Sequence, residues 1–120
     1  MTPAKKLNIL VVDDDKDVAN SLAEIFELEG HEVTKAHSGK DAIAESVRKN
    51  FDITFMDIAM PGKNGVESFF EIRRLKPRAR VYMMTGYSVE ELVQQAIANG
   101  ALGVLHKPVD VGHVLSLLAA

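Results

Sequence analysis

Apolar residues along the chain fall into two alternating patterns. Short runs occur at Leu7–Val12 (L-N-I-L-V-V), around Val33 in His31–Ala36, at Ile53–Met56, at Arg80–Met84 and at Gly103–His106. These runs are too short for helices and predict strands, the first of them aliphatic enough to be buried on both faces. Between them, apolar positions recur near a 3.6-residue period. Val18, Leu22, Ile25, Phe26 and Leu28 mark a helix over Asp17–Leu28, stopped by Gly30. Ala42, Ile43 and Val47 mark a second over Lys40–Lys49, after Ser38-Gly39, and Val66, Phe69, Phe70, Ile72 and Leu75 a third over Val66–Leu75, ended by Pro77. Ser88 and Glu91 form a capping-box pattern for a helix running through Asn99 to Gly100. A last helix starts near Asp110, is interrupted by Gly112 and runs toward Ala120.

Strand and helix thus alternate five times with short connections, which predicts an α/β fold with a parallel sheet covered by helices on both faces. The turn residues that follow Asp57, including Pro61, Gly62 and Asn64-Gly65, place this acid at the end of its strand. An unpaired carboxylate inside an apolar strand would cost several kcal/mol or more. The carboxyl ends of strands one, three, four and five therefore carry Asp13/Asp14, Asp57, Thr85 and Lys107, and all lie on one rim, where parallel sheets bind ligands.

Three neighbouring carboxylates repel one another, so one of them holds a proton at a raised pKa or a cation joins them. A single lysine compensates only in part. Mg²⁺ suits such a site because it takes oxygen ligands and is commonly held by one or two carboxylates with several waters. A hard cation, an ammonium, a hydroxyl and a carboxylate nucleophile are together the parts needed to accept a phosphoryl group.

The chain resembles the receiver domains of two-component response regulators. The likeness spans nearly its whole length, through V-V-D-D at 11–14, D-I-A-M-P-G-K-N-G at 57–65, M-T-G at 84–86 and K-P at 107–108. It implies a flavodoxin-like (βα)5 three-layer sandwich with strand order 2-1-3-4-5 and a cis Lys107-Pro108 bond. Asp57 is then the phosphoacceptor, served by a sensor histidine kinase or phosphotransfer protein. Asp14 ligates Mg²⁺ directly and Asp13 through water, with Asp57 and the carbonyl of Ala59 completing the protein's share. Lys107 bridges to the phosphoryl oxygens, and Thr85 moves toward them as the switch that alters the surface offered to a downstream effector domain or protein. The domain promotes its own phosphorylation and dephosphorylation and is not an enzyme with a separate substrate. The alternative is a receiver-like interaction module that works without phosphorylation.

Some positions depart from the family pattern. Val104 stands where relatives carry a Tyr or Phe that swings inward, which predicts a weaker surface response or a substitute in Tyr87. Ala59 cannot orient an attacking water and Tyr87 can shield the phosphoryl group, so a long phosphorylated lifetime is expected, while Gly86 leaves the entrance open to a donor. Charges are sparse beyond Glu90, Glu91, Lys107 and Asp110 in the last two helices and the strand between them, so an apolar homodimer, or none, is expected in place of an ion-paired one.

Composition narrows the alternatives. At 120 residues the chain is read as one domain, 1–120, large enough to bury its own core, and the absence of cysteine removes any disulfide framework. No run of 18 apolar residues and no signal peptide occur, so a cytoplasmic location and no membrane contact are expected. The net charge of −3, with scattered Lys and Arg, argues against direct nucleic-acid binding. Val18 occupies the place of the obligatory glycine in an EF-hand reading of Asp13, Asp15, Asp17 and Glu24, and Gly39-Lys40-Asp41 lacks the Ser/Thr of a P-loop. Asp15 is read as a helix cap or a solvated acid, Met60 and Pro61 as loop-shaping, Gly65 as serving a backbone conformation, and the four dispersed histidines as no metal site.

Overall fold

The computed structural model describes residues 6–60, 64–86 and 90–118. Five strands, β1 (Asn8–Val12), β2 (Glu32–Ala36), β3 (Ile53–Asp57), β4 (Val81–Thr85) and β5 (Gly103–His106), form one sheet in the order β2-β1-β3-β4-β5. Every pairing is parallel. The intervening helices are α1 (Lys16–Leu28), α2 (Gly39–Arg48), α3 (Gly65–Leu75), α4 (Glu90–Ala98) and α5 (Val111–Leu118). This is the flavodoxin-like architecture expected from the sequence, with element ends shifted by one or two residues. The Lys107-Pro108 bond is cis.

Alternation along the strands explains the layers. Leu10, Val12, Met56, Val81 and Met83 point to one side, where Ala42 of α2, Phe69 and Ile72 of α3 and Ala96 of α4 cover them. Ile9, Val11, Ile53, Phe55 and Met84 point to the other, against Ala19, Leu22 and Phe26 of α1 and Val114 of α5. Phe55 stacks between Phe26 and Tyr82, with ring centroids 5.1 and 5.8 Å away. Burying each of these large side chains contributes about 2–3 kcal/mol, which explains why the central strands are apolar on both faces.

Polar residues set the helix starts. Asp15, Ser38 and Asn64 are the N-caps of α1, α2 and α3, each accepting from backbone N–H groups of the first turn. Gly30 ends the α1 turn at φ +90°, a conformation that favours glycine. Two expected core positions are solvent-facing instead. Leu28 is 80% exposed at the last residue of α1, and Val47 is 57% exposed, because the buried stripe of α2 runs through Gly39, Ala42 and Ser46. The small Ala and Ser side chains let α2 lie close to the sheet, a signal that apolar periodicity alone does not carry. The expected Ser88 cap lies outside the described residues. Among those residues no helix is long and apolar enough to cross a membrane.

Candidate functional site

The parallel sheet delivers its polar residues to one rim. Asp57 is the last residue of β3 and only 4% exposed; Thr85 is the last of β4 and buried. Asp13 follows β1 directly and is fully buried, whereas Asp14 beside it faces solvent. Carboxylate oxygens of Asp13, Asp14 and Asp57 all lie within 4.8 Å of one another. Lys107 follows β5, and its backbone N–H donates to the Thr85 carbonyl at 2.8 Å, which fixes the stem of its side chain over the site.

The buried acids are tethered by short local bonds. Asp13 Oδ1 accepts from Asp15 N–H at 3.0 Å, and Asp57 Oδ1 accepts from Ala59 N–H at 3.2 Å. Their second oxygens face the same ammonium, with Lys107 Nζ 2.5 Å from Asp13 Oδ2 and 3.3 Å from Asp57 Oδ2. Burial, followed by the charge of Asp13, pushes the Asp57 carboxyl up from 3.8 to about 6, against the charge and hydrogen bond of Lys107 and the Ala59 N–H. Burial also works against the Lys107 ammonium, but the hydrogen bond to Asp13 and the charges of Asp57 and Asp13 outweigh it and raise its pKa.

One lysine set against three carboxylates leaves the cluster with an excess of negative charge when all are ionised. The donors are all oxygen, and the exposed side of Asp14 leaves room for water, so the residues fit a hard divalent cation such as Mg²⁺. The arrangement also presents a carboxylate nucleophile beside an ammonium, at a strand end open to a ligand.

The structure therefore gathers Asp13, Asp14, Asp57 and Lys107, brings Thr85 to the same rim through Lys107, and places the half-buried Ala59 two residues past Asp57. Asp15 is the expected cap and His106 an exposed rim residue. Met60 packs into the core and does more than shape the loop. Gly65 is the clearest correction. Its φ is not in the left-handed region, but an added Cβ would overlap the Asp57 carbonyl oxygen and stand 2.8 Å from Ile58 Cα. The start of α3 sits directly on the strand end that carries Asp57. Asn64 three residues before Glu67 was the sequence signal for that helix start. His37 was also missed: its Nδ1 is 3.1 Å from the Asp13 carbonyl oxygen, a contact between β2 and β1 ends that no motif announces. Pro61, Lys63 and Tyr87 lie outside the described residues.

Fold and rim together define a doubly wound signalling domain with an acidic pocket at its carboxyl edge. The chain belongs to the response regulator receiver domain family, whose sequence model matches residues 9–119. It is similar to the response regulator receiver protein Anae109_2439 of Anaeromyxobacter sp., at 40% identity over 108 residues, 90% of this chain and 45% of that protein. The chain spans less than half the length of the first curated relatives it matches. Among solved structures it is similar to a CheY-like receiver domain protein from Methanospirillum hungatei, with a TM-score of 0.91 and 30% identity, covering 96% of this chain and 92% of that one. It also resembles the Borrelia burgdorferi CheX-CheY-BeF3-Mg complex structure, with a TM-score of 0.84 and 32% identity over 91% of this chain and 84% of that one.

Proposed function

We propose that residues 1–120 form one receiver domain that accepts a phosphoryl group on Asp57 from a phosphohistidine of a sensor histidine kinase or phosphotransfer protein. A carboxylate oxygen of Asp57 attacks phosphorus, the phosphorus–nitrogen bond breaks, and the imidazole leaves with the bonding pair. The observation that carries this reading is the Asp57 carboxylate standing at a strand end between the Lys107 ammonium and the Asp13/Asp14 pair. Asp13, Asp14, Asp57 and the Ala59 carbonyl would hold Mg²⁺, which when bound supplies charge neutralisation for the transferring group. Lys107 takes up the new phosphoryl oxygens, since it already reaches Asp57. Thr85, at the end of the neighbouring strand, is the residue that moves toward the phosphoryl group and passes the change to a downstream effector domain or protein. The same reading places the domain in the cytoplasm.

The Borrelia complex, whose protein carries BeF3 and Mg, supports this reading by the likeness of fold and identity. The test is an NMR titration of the ¹⁵N-labelled chain with Mg²⁺ and then fluoroberyllate. Amide shifts around Asp13, Asp57, Thr85 and Lys107 that require both additions and disappear in Asp57→Ala are expected. No response to either addition would oppose phosphorylation and favour a module that binds partners in one state.

A further inference from the structure

A second cavity lies at the opposite pole of the sheet, away from the acidic rim. It has a volume of about 440 Å³ and opens between the end of α2, the end of α3 and the turn that leads into β4. That size falls within the range of about 300–1,000 Å³ common for small-molecule sites. Its walls are apolar, made by Phe51, Ile72, Leu75 and Pro77.

Two buried hydroxyls form part of its lining. Ser46 and Thr54 are each only 4% exposed, and neither has a hydrogen-bond partner among the described residues. Neither hydroxyl oxygen is fully enclosed, and both residues line the cavity. Buried polar groups are normally satisfied, and these two are presented to whatever fills the space.

The mouth is cationic. Lys49, Lys76 and Arg78 line it, and no acid does. Lys49 is 3.7 Å from Glu32, which lies outside the cavity, and 5.8 Å from the Phe51 ring centroid. Lys76 donates only to the neutral amide of Asn50, at 2.6 Å, and Arg78 has no partner among the described residues. Pro77 and Arg78 are the central residues of a turn closed by Ala79 N–H donating to the Lys76 carbonyl at 2.9 Å. Arg73 Nη1 pins the same turn to α3 by donating to the Ala79 carbonyl at 2.9 Å. A proline at the first central position holds such a turn in shape before any ligand arrives.

We infer that this cavity is a binding site for a small amphipathic organic anion, with a planar apolar body against Phe51 and Ile72 and a carboxylate directed to Lys76 and Arg78. The Ser46 and Thr54 hydroxyls select a body carrying a polar edge. This site is independent of the phosphoacceptor.

The ¹⁵N-labelled chain, without divalent cation or phosphodonor, is titrated with 6-hydroxynaphthalene-2-carboxylate, whose ring hydroxyl supplies the polar edge, and followed by NMR. Saturable amide shifts within residues 46–54 and 72–79 are expected, with a Kd of about 1 mM or tighter for a ligand of this size. The neutral 6-(hydroxymethyl)naphthalen-2-ol and the exposed-site variant Arg78→Ala should each weaken binding about tenfold, the loss of one charge-assisted hydrogen bond. Thr54→Val, which keeps the side-chain shape, should alter the Thr54-side shifts while leaving the fold spectrum intact. Absent shifts in these segments, shifts scattered over the surface, or equal binding of the alcohol would each overturn the assignment.

Discussion

Lys107 is held more closely by Asp13 than by Asp57, at 2.5 Å against 3.3 Å, although Asp57 is the proposed acceptor. The lysine therefore anchors a fully buried carboxylate as well as facing Asp57. Lys107→Ala should destabilise the metal-free chain by about 3 kcal/mol, because it strands the buried Asp13 charge. It should also raise the Asp57 pKa further, since the lysine charge lowers it. Urea unfolding at neutral pH and carboxyl ¹³C titration measure the two effects. Unchanged stability would show that Asp13 does not depend on this lysine.

Asp57 makes a pH-dependent contribution of unusual sign. Its folded pKa of about 6 lies above the ordinary 3.8, so between these values the folded chain binds more protons than the unfolded chain. Stability from this group is thus greatest in acid, falls as pH rises from about 4 to about 6, and is level above that. Asp57→Asn should stabilise the metal-free chain at neutral pH by at most about 3 kcal/mol, with the gain vanishing near pH 4. Thermal unfolding of both proteins across this range checks the shape; a gain that persists in acid would contradict it.

Two glycines should answer oppositely to alanine. Gly65→Ala forces a methyl group onto the Asp57 backbone, 2.9 Å from its carbonyl carbon, and should cost roughly 3 kcal/mol while displacing the end of β3. In α5, Gly112→Ala meets only Asp110 Oδ1 at 3.8 Å and should stabilise by about 0.5–1 kcal/mol. Denaturant midpoints measured at equal slope decide both.

Ala59 lends its N–H to Asp57, and its methyl side chain has no group that could orient a water. Ala59→Asn adds an amide that can orient that water, and should speed loss of the phosphoryl group about tenfold. The decay is followed after removal of the donor. An unchanged rate would mean that Ala59 does not set the lifetime.

Much of this was legible in the chain because the strands are buried on both faces. Runs such as Ile53–Met56 announce themselves without tertiary knowledge, and parallel connectivity then sends Asp13, Asp57, Thr85 and Lys107 to one edge. Where burial depends on closeness and not on hydrophobicity, the pattern misled. Ser46 is buried while its neighbour Val47 is exposed, because α2 meets the sheet through small residues. Gly65 looked like a conformational residue, yet its role is to let α3 touch β3, a contact between segments that periodicity cannot register. The His37 contact with Asp13 is equally a product of β2 lying beside β1.

Phosphoryl transfer to Asp57 is the event on which the proposed switch turns. Its most direct test is the intact mass of the chain after incubation with acetyl phosphate and Mg²⁺, beside Asp57→Ala and a chelator-treated sample. A gain of one phosphoryl group is expected in the Mg²⁺-supplied parent alone. A gain in Asp57→Ala would move the acceptor elsewhere, and no gain in any sample, even with candidate histidine kinases supplied, would contradict phosphorylation at Asp57.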